Sequence, residues 1–277
     1  NSHQVHTKEM ILPQNVLFLP ETMKKLGYKT MSFILNANVS APFGFGRGVE
    51  KMVEAFRDIP PVLPDPKTRA EQIWKQHMQP FIEKEPGKPF FMYVHEIDPH
   101  APNAPPSPYY EMYPQGGNWR RLDQSEKTAL LVDKGAMTLT PEQVDGLRSV
   151  YRGEISYMDA YLGELLKKFR EAGALEDTLV IFMSDHGEEF YEHGRLRHAK
   201  ALYEETLHVP LMFALDGVLP SQKRVKTPVE LIDVFPTILD FIDEDIPPSL
   251  QGRSLLPELF GSEPATPRPV YTTLGPD

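Results

Sequence analysis

Thr178-Leu-Val-Ile-Phe-Met-Ser-Asp-His-Gly-Glu188 is the stretch on which the reading of the fold turns. Five consecutive large apolar or β-branched residues, Leu179 to Met183, stop abruptly at Ser184, Asp185, His186 and Gly187. A continuous apolar run of this length, bounded by turn formers, reads as a strand buried on both faces, the kind that lies inside a parallel sheet. Such a strand delivers a carboxylate and an imidazole to the sheet's carboxyl rim, where open α/β sheets bind ligands. Adjacent side chains on a continuing strand point to opposite faces, but at a strand-to-loop turn both can reach one cation. Asp185 and His186 are therefore a candidate metal half-site; the alternative is a strand end with a solvated aspartate and a capping histidine.

Upstream, the spacing of Val144, Leu147, Val150, Ile155, Met158, Leu162, Leu165, Leu166 and Phe169 predicts a long amphipathic helix over 141–172, ended near Gly173. Apolar runs predict three further strands at 29–35, 89–94 and 209–214, with helices over 17–26, 70–82 and 229–241. Together they predict an α/β fold with a mostly parallel central sheet flanked by helices on both faces. Phe43-Gly-Phe-Gly-Arg-Gly48 is glycine-rich but lacks a following Lys-Ser/Thr, so it reads as a loop rather than a phosphate cradle. Residues 60–66 read as a stiff proline-rich connector. Residues 103–140 mix Pro, Gly and charge without a clear period and are expected to be an insertion that shapes a pocket. Val270 to Thr273 is expected to begin another strand.

The strand at 89–94 also ends in ionisable groups: His95, Asp98 and His100. Pro99 and Pro102 flank His100 and are expected to hold the chain extended around it. A histidine fixed at a strand's carboxyl end suits proton or anion chemistry better than one on a helix face. The alternative is a loop histidine in a proline-rich surface segment. After the Asp185-His186 pair, Glu188, Glu189, His193, His198 and Lys200 make another dense run of ionisable groups.

Composition narrows the chemistry. The 277 residues carry a net charge of -10, with Lys and Arg scattered rather than blocked, which argues against nucleic acid as the main partner. An acidic protein acting on a small anionic ester must supply positive charge locally, from a metal and a few basic side chains. The absence of cysteine excludes disulfides, thiolate metal sites and a cysteine nucleophile within these residues. No apolar run is long enough to span a membrane. Nothing in the composition sets the oligomeric state.

The stretch SDHGEEFYEHGRLRHAKALYEETLHVPLMF resembles the signature of the sulfatases within the alkaline phosphatase superfamily. LPETMKKLGYKTMSFILN, FFMYVHEIDPHAPNAPP, YRGEISYMDAYLGELLKKFREAGALEDTLVIFMSDHG and the Asp-Val-Phe-Pro-Thr-Ile-Leu-Asp segment are similar to the same family, so the resemblance runs through most of the chain. It implies metal-dependent hydrolysis of sulfate esters. Asp185 and His186 would hold a divalent cation (Ca, Mn, Zn or Mg), His100 would contact the transferred anion, and His198 would stand at the family's basic position. Lys200 is the reserve for that position, and His95 is the weaker choice beside His100. Glu188 and Glu189 would orient the histidines or stay solvated. Where well-known sulfatases often carry asparagine this chain has His186, which favours manganese, zinc or iron over calcium and gives weight to phosphodiester, phosphonate or phosphoalcohol-transfer chemistry.

The family's nucleophile, a formylglycine or else a Thr or Ser, would lie before residue 1. Residues 1–277 therefore read as one sulfatase-like domain truncated at both ends, expected to be weakly metal-bound and inactive alone. A catalytically inactive binding or scaffold domain is the alternative of another class. The resemblance gives a slight preference for an extracytoplasmic location.

Overall fold

A computed structural model describes residues 11–57, 63–114, 122, 124–261 and 268–273. Its strands, among the described residues, are β1 (Lys29–Ile34), β2 (Lys51–Glu54), β3 (Phe90–His95), β4 (Val180–Met183), β5 (Glu189–Phe190), β6 (Leu196–Arg197) and β7 (Leu211–Ala214). The chain forms two compact units, one of residues 1–172 with 188–197, the other of 173–187 with 198–277. The architecture is α/β, with helices around a parallel sheet.

In the first unit β1 lies between β2 and β3, and both pairings are parallel. All six residues of β1 are buried, so both faces of this central strand are covered. One is a lysine. Lys29 Nζ donates to the carbonyls of Phe81 (3.2 Å), Ile82 (2.6 Å) and Glu85 (3.1 Å), carbonyls that the end of a helix leaves without intrahelical partners. Ahead of β1 stands α1 (Leu19–Lys25), closed by Gly27 at φ 88°, as the sequence predicts.

Asp65 caps α2 (Pro66–Ile73), which continues through a π turn, Trp74–Met78, into α3 (Gln79–Glu83). This helical stretch starts earlier than the expected 70–82, because Asp65 accepts from the backbone N–H groups of Lys67 and Thr68. The expected connector at 60–66 is described only from residue 63, and Pro66 is already helical. Lys51 on β2 donates to the His77 carbonyl (2.6 Å) inside the π turn. β2 itself carries little sequence signal, since Lys-Met-Val-Glu is short and half polar.

Residues 103–140 contain α4 (Glu126–Asp133), started by Ser125, whose hydroxyl accepts from Thr128 N (3.3 Å). A capping box of Thr140 and Gln143 begins α5 (Pro141–Glu171). The β5–β6 hairpin belongs to this unit, where Leu196 is buried with Ala129, Val132, Leu139, Val144 and Leu147.

In the second unit β4 pairs with β7 in the antiparallel sense, Val180 facing Ala214 and Met183 facing Leu211. A short helix, α6 (Glu204–Leu207), precedes β7. Of the predicted helix over 229–241 the structure forms a 3-10 turn, Leu231–Asp233, and α7 (Val234–Phe241), followed by α8 (Leu256–Phe260). The strand expected from Val270 is absent from the described residues 268–273. There the backbone donor of Tyr271 goes to the Glu230 carboxylate (3.1 Å), and Arg268 is paired with Glu230 and with the buried Asp233, so side chains take the place of a neighbouring strand.

Candidate functional site

The second unit carries Asp185, His186, His198 and Lys200. After β4, Ser184 N donates to Pro210 O (3.3 Å), the Ser184 hydroxyl donates to His186 O (2.8 Å), and Gly187 N donates to Thr206 O (2.9 Å). These bonds pin the turn that presents the two candidate ligands. A Cβ on Gly187 would lie 2.0 Å from the Glu205 carbonyl oxygen, so the close backbone approach admits only glycine.

Asp185 is 79% exposed, and its Oδ1 accepts from His186 N (3.0 Å) while Oδ2 lies 3.8 Å from His186 Nε2. His186 Nδ1 is 2.9 Å from Gly187 O. A carbonyl can only accept, so Nδ1 carries the proton and, in the neutral ring, Nε2 carries the lone pair. This is the arrangement in which a backbone carbonyl orients a metal-binding histidine. Two ligand atoms each about 2.1 Å from a shared cation stand about 3–4 Å apart. The 3.8 Å between Asp185 Oδ2 and His186 Nε2 lies at the wide end of that range. The His198 ring stacks on that of His186, with centroids 3.8 Å apart and planes inclined by 30°. Lys200 is exposed, two residues further on. Among the described residues no group of three or more His, Asp or Glu side chains converges tightly enough to hold a metal ion.

The first unit carries His95 and His100. His95 is the last residue of β3, opposite Ile34, with its ring 6.2 Å from that of Tyr93. His100 is exposed. Its surroundings differ from the expected extended chain: His100 N donates to Ile97 O (2.9 Å), closing a tight turn in which the peptide before Pro99 is cis, as is that before Pro102. Proline in the cis form at the third position of a four-residue turn brings the ends together instead of extending them. His100 Nδ1 lies 2.7 Å from Ala101 O, which again puts the proton on Nδ1.

Beneath this turn lies a buried charge cluster that the sequence reading overlooked. Arg69, whose side chain is 2% exposed, donates to Glu96 (2.6 Å) and Asp98 (3.1 Å), and the Tyr161 hydroxyl donates to Glu96 (2.8 Å). The Arg69 guanidinium stands 4.4 Å from the centre of the Tyr161 ring. Burial pushes Glu96 up to about 7, although Arg69 pulls the other way, and burial raises Asp98 as well. A second overlooked residue is Glu154 on α5, which burial pushes up to about 7. The signal that could have found it is its place in the apolar stripe of Leu147, Val150, Tyr157, Met158, Tyr161 and Leu165.

A family model described as Sulfatase matches residues 1–244. An arylsulfatase of Clostridium perfringens (strain 13 / Type A) is 31% identical over 182 residues, covering 62% of this chain and 38% of that protein. The multifunctional alkaline phosphatase superfamily protein PehA of Trinickia caryophylli is 29% identical over 208 residues, 67% of this chain and 40% of that protein. The chain thus spans well under half the length of these curated relatives. Among solved structures, the phosphonate monoester hydrolase from Silicibacter pomeroyi superposes with a TM-score of 0.73 at 21% identity, over 96% of this chain and 66% of that one. That likeness is one of fold.

Proposed function

This chain belongs to the sulfatase family, and from that premise we propose that the protein carrying it hydrolyses sulfate esters of small anionic substrates. The observation that carries the reading is the pinned Asp185-His186 turn, with the proton on Nδ1 and a carboxylate oxygen 3.8 Å from Nε2. The family implies a divalent cation, and when bound it supplies positive charge to the ester oxygens and to the nucleophile. An imidazole donor favours manganese or zinc over calcium. His186 and Asp185 hold that ion. His100 and His198 meet the charge of the transferred anion, and an imidazole with its lone pair on Nε2 takes a proton there and, once protonated, gives it up. Lys200 and His95 are the reserve cations, and residues 103–140 shape the pocket. These residues hold no cysteine from which a formylglycine nucleophile could be made.

A second reading, hydrolysis of phosphonate monoesters or phosphodiesters, is favoured by the imidazole at position 186. The deciding experiment assays the full-length protein, metal-loaded, on p-nitrophenyl sulfate and on a phenylphosphonate monoester. Sulfate turnover at the higher kcat/KM supports the first reading, and the reverse preference supports the second. No turnover of either by a folded, metal-loaded protein would leave the fold serving a binding role.

A further inference from the structure

The loop that carries His100 is gripped by polar groups that play no part in the roles assigned above. Glu154, in the middle of α5 and only 3% exposed, accepts from the Asn103 side-chain amide and from Ala104 N (3.1 Å). The same Asn103 amide nitrogen donates its other hydrogen to Pro99 O (2.9 Å). One nitrogen with two hydrogens thus ties the residue before His100 to the carboxylate on α5, while the other carboxylate oxygen holds the chain four residues after His100. Gln124 grips the same point from another direction, its Oε1 accepting from Asn103 N (2.8 Å) and its Nε2 donating to Asn103 O (3.3 Å). Gly153, next to Glu154, lets the backbone of Tyr109 approach α5 to where a Cβ would meet its oxygen at 2.3 Å. Among the described residues Glu154's hydrogen-bond partners are Asn103 and Ala104, both neutral, and a buried carboxylate held by neutral groups costs stability that an apolar residue at this helix position would not.

We infer that Glu154 is a positioning residue for His100: through Asn103 and Ala104 it fixes both flanks of the turn, so that the imidazole meets the transferred anion in one orientation. The inference rests on the role given to His100 in the proposed function. A catalytic group displaced by about 1 Å can lose on the order of 100-fold in rate. Loosening the turn acts on orientation in the transition state more than on ground-state binding, so kcat suffers more than KM.

The test uses the full-length protein and two readouts, turnover of p-nitrophenyl sulfate and the NMR resonances of the His100 imidazole, assigned with His100→Gln. In Glu154→Ala and in Asn103→Ala we expect kcat to fall about tenfold or more with KM within about threefold, and the His100 resonances to move or broaden. The double variant should lose no more than the worse single one, because both remove the same contact. Glu154→Gln, which keeps the shape but sets an amide against the Asn103 amide, should fall between wild type and Glu154→Ala. Folded variants with unaltered kcat and unmoved His100 resonances overturn the inference, as do losses that simply add in the double variant. Should Glu154→Ala fail to fold, Asn103→Ala alone decides by the same criteria. Should the unsubstituted protein turn over no sulfate ester, the sulfatase reading fails, and the His100 resonances still decide the clamp: moved in Asn103→Ala they uphold it, unmoved they overturn it.

Discussion

A methyl group on Gly187 would stand 2.0 Å from the Glu205 carbonyl oxygen, and neither that oxygen nor the strand-end turn can yield without breaking the Gly187 N to Thr206 O bond. Gly187→Ala should therefore destabilise the second unit by about 1–3 kcal/mol, read as a lowered urea midpoint at unchanged slope. One residue earlier the effect is chemical. His186→Ala removes a nitrogen donor and should lower zinc or manganese content after dialysis. His198→Ala should leave metal content nearly unchanged while cutting turnover by about 100-fold, since His198 lies face-on to the His186 ring. Loss of metal in His198→Ala would make it a ligand instead.

The long helix α5 illustrates how charge inside an element ties its stability to pH. Glu154 has its pKa raised to about 7, by burial first and by Asp98, while the bonds from Asn103 and Ala104 pull the other way. A carboxyl whose folded pKa exceeds its unfolded value holds more protons when folded, so its contribution to stability is present below about pH 4.5 and is lost as pH rises towards 7. Between pH 4.5 and 7.5 Glu154→Gln should flatten that decline, by on the order of 2–3 kcal/mol at most, seen as a smaller difference in urea midpoint across the window. In the neighbouring cluster, Arg69→Met leaves Glu96 and Asp98 buried without their cation and should cost about 3–5 kcal/mol; adding Glu96→Gln and Asp98→Asn should recover much of it.

Legibility differs between elements for physical reasons. β3 and β4 announce themselves as unbroken apolar runs, yet only β1, with Lys, Thr and Ser among its residues, is buried throughout; β3 is half-buried, and Phe182 and Met183 of β4 are exposed, against the expected strand covered on both faces. Asp185-His186 is visible because both candidate ligands sit side by side at the end of such a run. β2 is silent because four residues half polar can be recruited by the backbone of β1 alone, and the antiparallel sense of β4 and β7 leaves no mark on either run. The turn at His100 and the carboxylates beneath it depend on partners distant in sequence, Arg69, Tyr161 and Glu154, which local pattern does not bring together.

For the molecule as a whole, the division into units does not follow chain order, since residues 188–197 leave the second unit's stretch of sequence and complete the first. Leu196 shares the buried cluster with Ala129, Val132, Leu139, Val144 and Leu147, and Leu196 N donates to Asp133 (3.3 Å). Residues 1–172 expressed alone should therefore bind a hydrophobic dye and self-associate, and a version in which a short flexible linker joins residue 172 to residues 188–197 should do so much less, measured by dye fluorescence and sedimentation. His186 lies just before this excursion and His198 just after it, their rings 3.8 Å apart. A residue inserted or deleted in the arms that pair Glu189 with Arg197 and Phe190 with Leu196 would break the register that buries Leu196. Only the tip, where Tyr191 N meets Arg195 O and Gly194 turns at φ 75°, can absorb a change in length. In a lineage descending from this sequence, insertions and deletions near the histidines should gather at those few tip residues.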